Sequence, residues 1–308
     1  MRRASPLDFL LLLLLACIWG SSFTIIKVVV PHLPPFSLTL WRVALAAVAL
    51  LAAAWWRGEH LRFSAAAWGW ITLAGITGNS APFTLISWGE ERVDSGLAAI
   101  LISITPFVVL LLAHFLIGEE RLTARRVAGV ALGFAGVVVL IGPASLAQVG
   151  EDAARQLAVA GAAVCYALNT LMVRHLQLWH MGPQNGPLAL AAGIMLTSVL
   201  TLAPVALLAE GIVIPPAKSA LLAALLGVVH TALATLVMFA IIRRAGATFF
   251  ATINFLIPVV GYLLGVLVLG EPLSWRALAA LALVLAGLYA VSGTSRSSIE
   301  ERAAPHSG

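Results

Sequence analysis

Polar side chains stand out in this chain because they interrupt long apolar runs. Trp19, Ser22, Phe23 and Lys27 recur at helical spacing, which puts them on one face of a helix. Asn79, Phe83 and Ser87 repeat that rhythm in a later segment that ends near Trp88 and Glu90. Further along come Tyr166, Asn169 and Thr170, then His230, Thr231 and Thr235, then Asn254 amid Phe249, Phe250 and Phe255. Amides and hydroxyls offer hydrogen bonds and aromatic rings offer walls. Lys27 or Arg42 could hold a carboxylate, and His230 titrates close enough to neutrality to carry a proton. Together these groups suit reversible binding of a small polar solute.

Each residue also has a structural role open to it. Asn and Thr bond between membrane helices for about 0.6 kcal/mol on average. Lys27 and Arg42 lie near helix ends, where long cations snorkel to the headgroups. His230 could be a hydrogen-bonded packing residue, and Trp19 and Tyr166 could simply pack. Pro82, Pro106 and Pro258 fall inside apolar spans, where each frees a backbone carbonyl and so offers a hinge for gating. Several chemistries are missing from the sequence. There is no Gly-rich phosphate loop ending in Lys-Ser/Thr, no HExxH, no Cys-x-x-Cys, no histidine cluster and no Gly-x-Ser-x-Gly elbow. ATP-driven transport within this chain, a resident metal and an organic cofactor are therefore not expected.

The elements that would position these residues follow from composition. Of 308 residues 61% are hydrophobic and 10% charged, and the mean hydropathy is +1.02. A soluble domain carries roughly a quarter of its residues charged, so the solvent for this surface is a bilayer, which demands only an internally bonded backbone. Ten apolar stretches approach the roughly 20 residues needed to span it: 8–28, 36–56, 66–88, 94–117, 124–142, 156–177, 186–209, 219–242, 247–269 and 274–293. Arg2 and Arg3 before Phe9–Cys17 resemble a signal peptide, but the apolar run continues past Cys17, so a retained first helix is expected. Cys17 and Cys165 are read as small buried thiols.

With the amino terminus inside, the inner face collects twelve cations: Arg2, Arg3, Arg57, Arg62, Arg121, Arg125, Arg126, Arg174, Arg243, Arg244, Arg296 and Arg302. The outer face has six: Lys27, Arg42, Arg92, Arg155, Lys218 and Arg276. That bias puts both termini in the cytoplasm of a bacterial inner membrane. The net charge of +5 is thus a topology signal rather than a nucleic-acid surface. Trp55, Trp56, Trp68 and Trp70 read as an interfacial belt. Gly129 and Gly133 form a small-residue face for packing within the protein or for a homodimer, leaving monomer and homodimer both open. The segment 294–308 reads as a polar cytoplasmic tail.

The chain repeats itself. Thr105-Pro106-Phe107 through Gly118-Glu119 matches Ile257-Pro258-Val259 through Gly270-Glu271, and Arg125, Gly136 and Gly142 match Arg276, Gly287 and Gly293 after a one-residue slip. Asn79 and Thr231 become near-equivalent. Five spans per copy is an odd number, so the second copy enters the membrane inverted. Two inverted five-helix repeats, 8–142 and 156–293 with an outer linker at 143–155, are the layout of alternating-access carriers with a site near the midplane. Glu119 and Glu271 end helices in the repeated motif and are expected to contact a nearby Arg or a backbone amide.

The pieces Trp19-Gly20-Ser21-Ser22-Phe23, Arg42, Trp88-Gly89-Glu90, Ser95-Gly96-Leu97-Ala98 and Pro106 with Gly118-Glu119 resemble the first half of the EamA-type drug/metabolite transporters. Pro258, Gly270-Glu271-Pro272-Leu273 and Gly287 resemble the second half, although Ala167 and Leu168 stand where a second Trp-Gly pair would be. The resemblance implies a ten-helix, all-α membrane carrier that exports small metabolites such as amino acids, with proton coupling open. The alternative reading is an integral-membrane enzyme acting on a lipid-linked substrate. It would need ionisable residues converging at one membrane face, and the sequence shows no such cluster.

Overall fold

A computed structural model describes residues 5–117, 123–141, 151–175 and 186–292. Gly118, Glu119, Arg121, the 143–150 part of the linker and the 294–308 tail lie outside these residues. Among the described residues all regular structure is helical. In chain order the helices are α1 Pro6–Val29, α2 Pro35–Trp56, α3 Ala65–Gly75, α4 Ala81–Glu90, α5 Ser95–Ile102, α6 Thr105–Leu112, α7 Ala124–Ile141 and α8 Glu151–His175. They continue as α9 Pro187–Glu210, α10 Ala217–Gly227, α11 Ala234–Ala245, α12 Ala247–Phe250, α13 Ile253–Leu269 and α14 Trp275–Ser292. Among the described residues five stretches are long and apolar enough to cross a membrane: Pro6–Val29, Pro35–Trp56, Ser95–Phe115, Pro187–Glu210 and Ala217–Ala245. The chain is thus an all-α protein of membrane-length helices.

Proline starts several helices, where its missing N–H costs no hydrogen bond: Pro6, Pro35, Pro82, Pro106 and Pro187 each occupy a first-turn position. Two of these helices restart after an irregularity. Pro82 follows a π-helical turn, Ile76–Ser80, that joins α3 to α4. Pro106 follows the Ser103–Ile104 break between α5 and α6. Pro258 differs, because α13 continues through it and the break lies earlier, at Ala251–Thr252. A second π turn, Val228–Leu233, joins α10 to α11. The starts of these two π turns are 152 residues apart, the offset that also separates Pro106 from Pro258.

Helix pairing is reciprocal between the halves. The pairs α2 with α9 and α7 with α14 pack lengthwise. Helix α1 packs on α13, and α8 packs on α5 and α6; α4 packs on α8, and α11 on α1. Glycine permits close backbone approach in the α7–α14 pair. A Cβ on Gly129 would stand 2.8 Å from the Gly287 carbonyl oxygen, and one on Gly287 would stand 2.6 Å from that of Gly129. The small-residue face of α7 is therefore occupied within the chain.

Carboxylates tie these pairs at their ends. Glu210, closing α9, accepts from Phe36 N–H at 3.0 Å and Ser37 N–H at 2.7 Å in the first turn of α2. Glu59, beyond the end of α2, accepts from Ala189 N–H in the first turn of α9 at 2.9 Å. Each helix thus has its exposed amides and positive dipole end met by an acid from its partner. Glu271 does the same for α5, accepting from Ser95 N–H at 2.7 Å and Gly96 N–H at 3.0 Å. Gly270 makes that reach available by ending α13 in the left-handed region at φ +69°.

The cysteines depart from expectation. Cys17 is exposed and Cys165 half-buried. Cys17 shares α1 with the exposed Leu10, Leu13 and Leu14, so it belongs to a lipid-compatible face, where a thiol needs no burial.

Candidate functional site

The centre of the candidate site is Arg42. It stands two turns into α2 and is only 6% exposed, so it does not snorkel outward. Its Nε–H donates to Thr231 Oγ1 at 2.9 Å, and its guanidinium carbon lies 3.7 Å from the centroid of the Phe83 ring on α4. Among the described residues no carboxylate lies within ion-pair distance of it. Tyr166 on α8 packs beside Phe83, Val43 and Leu202. One charge from α2 therefore bridges α4 of the first half and the second π turn.

That turn explains why Thr231 is available. In a π turn the carbonyls lose their usual partners and side chains satisfy them instead. The hydroxyl of Thr231 donates to Leu226 O at 2.9 Å and accepts from Arg42 with its free lone pair. Thr235 O–H donates to Thr231 O at 2.7 Å. His230, also buried, has Nδ1 3.1 Å from Leu225 O and Nε2 3.1 Å from Ser21 Oγ on α1. A carbonyl only accepts, so Nδ1 carries a proton. Ser21 can serve Nε2 as donor, or accept from it while donating to Ile18 O at 3.1 Å. The network accommodates both the neutral and the protonated ring.

The first π turn carries Asn79, which is buried. The α3 carbonyls leading into it are approached from α9: Thr197 Oγ1 lies 3.3 Å from Ile71 O and Ser198 Oγ 3.1 Å from Gly75 O, while Ser80 O–H donates to Ser198 O. Asn169 on α8 lies against this turn, accepting from Thr77 O–H at 3.4 Å, and a Cβ on Gly78 would stand 2.9 Å from its amide nitrogen. Phe83 and Tyr166 thus meet where α4 packs on α8, Asn79 and Asn169 lie at the first π turn next to them, and Arg42 ties Phe83 to Thr231, the neighbour of His230 in the second π turn. Ser87, also buried, lies one turn beyond Phe83 on α4.

The remaining candidates are placed elsewhere. Ser22 donates to Trp19 O at 2.7 Å within its own helix. Trp19 meets Phe250 edge-on at 6.1 Å between centroids. Asn254 is half-buried and donates to Ala251 O at 2.9 Å, closing its own helix start. Lys27 donates to the main-chain oxygens of Glu90 at 2.8 Å and Val93 at 2.7 Å. It complements the negative end of α4, with two of its three N–H groups occupied. Sequence reasoning did not single out Ser21, Thr197 or Ser198. A hydroxyl pair such as Thr197-Ser198 within an apolar run was the available signal. It did not single out the caps Glu59 and Glu210 either, because their targets are far away in sequence.

Comparison with known proteins agrees with this architecture. Over 92% of the chain and 98% of the relative, it is 28% identical to an "Uncharacterized transporter" of Archaeoglobus fulgidus. It is also 28% identical, over 92% of the chain and 93% of the relative, to a "Probable amino-acid metabolite efflux pump" of Salmonella typhimurium. A solved protein structure superposes with a TM-score of 0.66, covering 95% of this chain and 99% of the other at 22% identity, which shows a shared fold. The profile of the EamA-like transporter family matches residues 7–142 and again 155–293. The chain, a multi-pass membrane protein, therefore belongs to the EamA-like transporter family.

Proposed function

We propose that the chain is a secondary exporter of small metabolites, amino acids first among them, working by alternating access in a bacterial inner membrane. The observation that carries this reading is the buried Arg42 guanidinium, held by a neutral hydroxyl and an aromatic face. A charge at bilayer depth costs roughly 2.5–3.5 kcal/mol on insertion scales and is retained where a pathway or ligand needs it. A substrate carboxylate is the anion that would complete it. The name of the Salmonella relative, an efflux pump for amino-acid metabolites, supports the same substrate class.

Ten spans in two inverted repeats, 8–142 and 156–293, fit the 152-residue recurrence of the π turns and the reciprocal helix pairs and caps. In this reading the halves rock about the α2–α9 and α7–α14 seams, and the restarts at Pro82 and Pro106 and the carbonyl freed by Pro258 within α13 absorb the motion. The site is the Arg42, Phe83, Tyr166 and Thr231 cluster with Asn79, Asn169 and His230 around it. Both termini face the cytoplasm.

The test is uptake of radiolabelled amino acids into proteoliposomes holding the purified protein. Saturable uptake of at least one, competed by unlabelled substrate and lost in Arg42→Met, is the expected result. No uptake across the panel by monodisperse protein overturns the amino-acid assignment.

A further inference from the structure

Glu90 closes α4 and is fully buried, at 0% exposure. Neither of its carboxylate oxygens accepts a hydrogen bond from any described residue. Four other described acids are treated differently. Glu59, Glu210 and Glu271 each accept backbone amides at helix starts, and Asp8 accepts from Ser5 and from Arg244 Nε at 2.7 Å. Those are ways of holding an ionised carboxylate. Glu90 has none of them.

The charges around it do not replace the missing bonds. Lys27 approaches from α1, but its ammonium donates to the main-chain oxygens of Glu90 and Val93. Arg42 on α2 is committed to Thr231 and the Phe83 ring. From α8, Tyr166 is phenolic, and Arg155 pairs with Glu91 and lies over Trp88 at 4.1 Å. Two further acids stand on the same side: Asp94 at the start of α5 and Glu271 following α13. Glu271 is already fixed as an anion by two amides, so a second unbonded anion beside it is disfavoured. An ionised carboxylate taken out of water without hydrogen bonds costs several kcal/mol, and a neutral carboxylic acid costs far less.

We propose that Glu90 is a proton-binding site whose carboxyl is protonated while this end of the bundle is closed and releases its proton to water when the end opens. The helix that Glu90 closes, α4, packs on α8, α2, α1 and α5, and in the transport reading these are the contacts that loosen when this end opens. Opening admits water, which hydrates the carboxylate, and the proton leaves from Oε to that water. Closing takes one proton back from the same water. Acid on that side therefore favours the closed form, and flux is tied to pH through one group. The flux consequence rests on the transport reading. The protonation does not.

The experiment has two arms. Infrared titration of the protein reconstituted in lipid reads the carbonyl stretch of protonated carboxyls. At neutral pH the wild type should show a band that Glu90→Gln removes and Glu90→Asp moves. A band unchanged by both variants, or no such band, overturns the proposal, and Glu90→Asp alone decides it should Glu90→Gln not fold. The second arm measures uptake of a transported amino acid at graded pH on the Glu90 side. Wild-type flux should rise as that side is made alkaline, and Glu90→Gln should carry flux with the pH response lost. An equal pH response in Glu90→Gln overturns the coupling. A wild type that moves no amino acid at all defeats the transport reading, while the infrared arm still decides the protonation of Glu90.

Discussion

Arg42 concentrates the residue-scale argument, because its geometry is specific to a guanidinium. Planar stacking over Phe83 with a simultaneous Nε–H to Thr231 is unavailable to a compact ammonium. Arg42→Lys should therefore behave as a loss rather than a conservative change. Losing one charge-assisted bond to substrate, about 1.5–3 kcal/mol, corresponds to roughly a ten- to hundredfold rise in KM for uptake. Thr231→Val leaves the guanidinium in place but removes its acceptor, together with the bond to Leu226 O, and should raise KM less, with little effect on the maximal rate; concentration series in proteoliposomes distinguish the two. Asp94 supports a prediction of another kind. Burial, and then the negative Glu271 beside it, push its carboxyl above the usual range. An acid with a raised value destabilises the fold when ionised, so its penalty grows as pH rises through that value and vanishes below the ordinary carboxylate range. Asp94→Asn should raise the melting temperature near neutral pH and lose that advantage in acid, as melting curves across pH will read.

At the scale of the element, ends and contacts matter more than helix propensity. Glu210 meets two amides and the Ser37 hydroxyl of α2, and Glu59 meets one amide of α9. Removing a helix cap costs about 0.5–2 kcal/mol. Glu210→Gln should lower the melting temperature in detergent by more than Glu59→Gln. The two caps share no partner, so the double variant should show the sum of the single effects. Gly287→Ala tests packing: its Cβ would stand 2.6 Å from the Gly129 carbonyl oxygen and 3.0 Å from Gly133 N. Backbone cannot swing aside as a side chain does, so overpacking of about 1–3 kcal/mol is expected, visible as a lower melting temperature. The π turns are the other element-scale device. Each holds a buried polar group where a regular helix would place a closed hydrogen-bond ladder, and each depends on hydroxyls nearby for its carbonyls.

The whole molecule is organised by exchange between its halves. Each long seam pairs one helix from each family-matched segment, α2 with α9 and α7 with α14, and the α2–α9 seam carries a carboxylate cap at each end. The proposed orientation, with both ends cytoplasmic, predicts fluorescence from a green fluorescent protein fused to the carboxyl end and no activity from a periplasmic phosphatase fused there. The opposite pair of results would invert the bundle and place Glu90 on the cytoplasmic side.

The membrane class and helix content were legible in the sequence because each is a local or periodic property. Apolar run length reports the solvent, and a 152-residue offset reports duplication without any knowledge of contacts. Phe83, Asn79, Tyr166, Asn169 and Thr231 could be named because polar and aromatic residues are rare enough in apolar helices to be conspicuous. What they touch was not legible. Whether Arg42 snorkels or is buried depends on α4 and the second π turn closing over it, and those lie far away in the chain. Lys27, equally conspicuous, serves the end of α4 instead. Glu90 has the same residue type as Glu210 and Glu271, yet those two find amides and it finds none. Residue type and spacing determined which groups could do chemistry. Tertiary packing decided which are satisfied and which are left to act, because a buried polar atom's energy is set by partners that only the fold brings within reach.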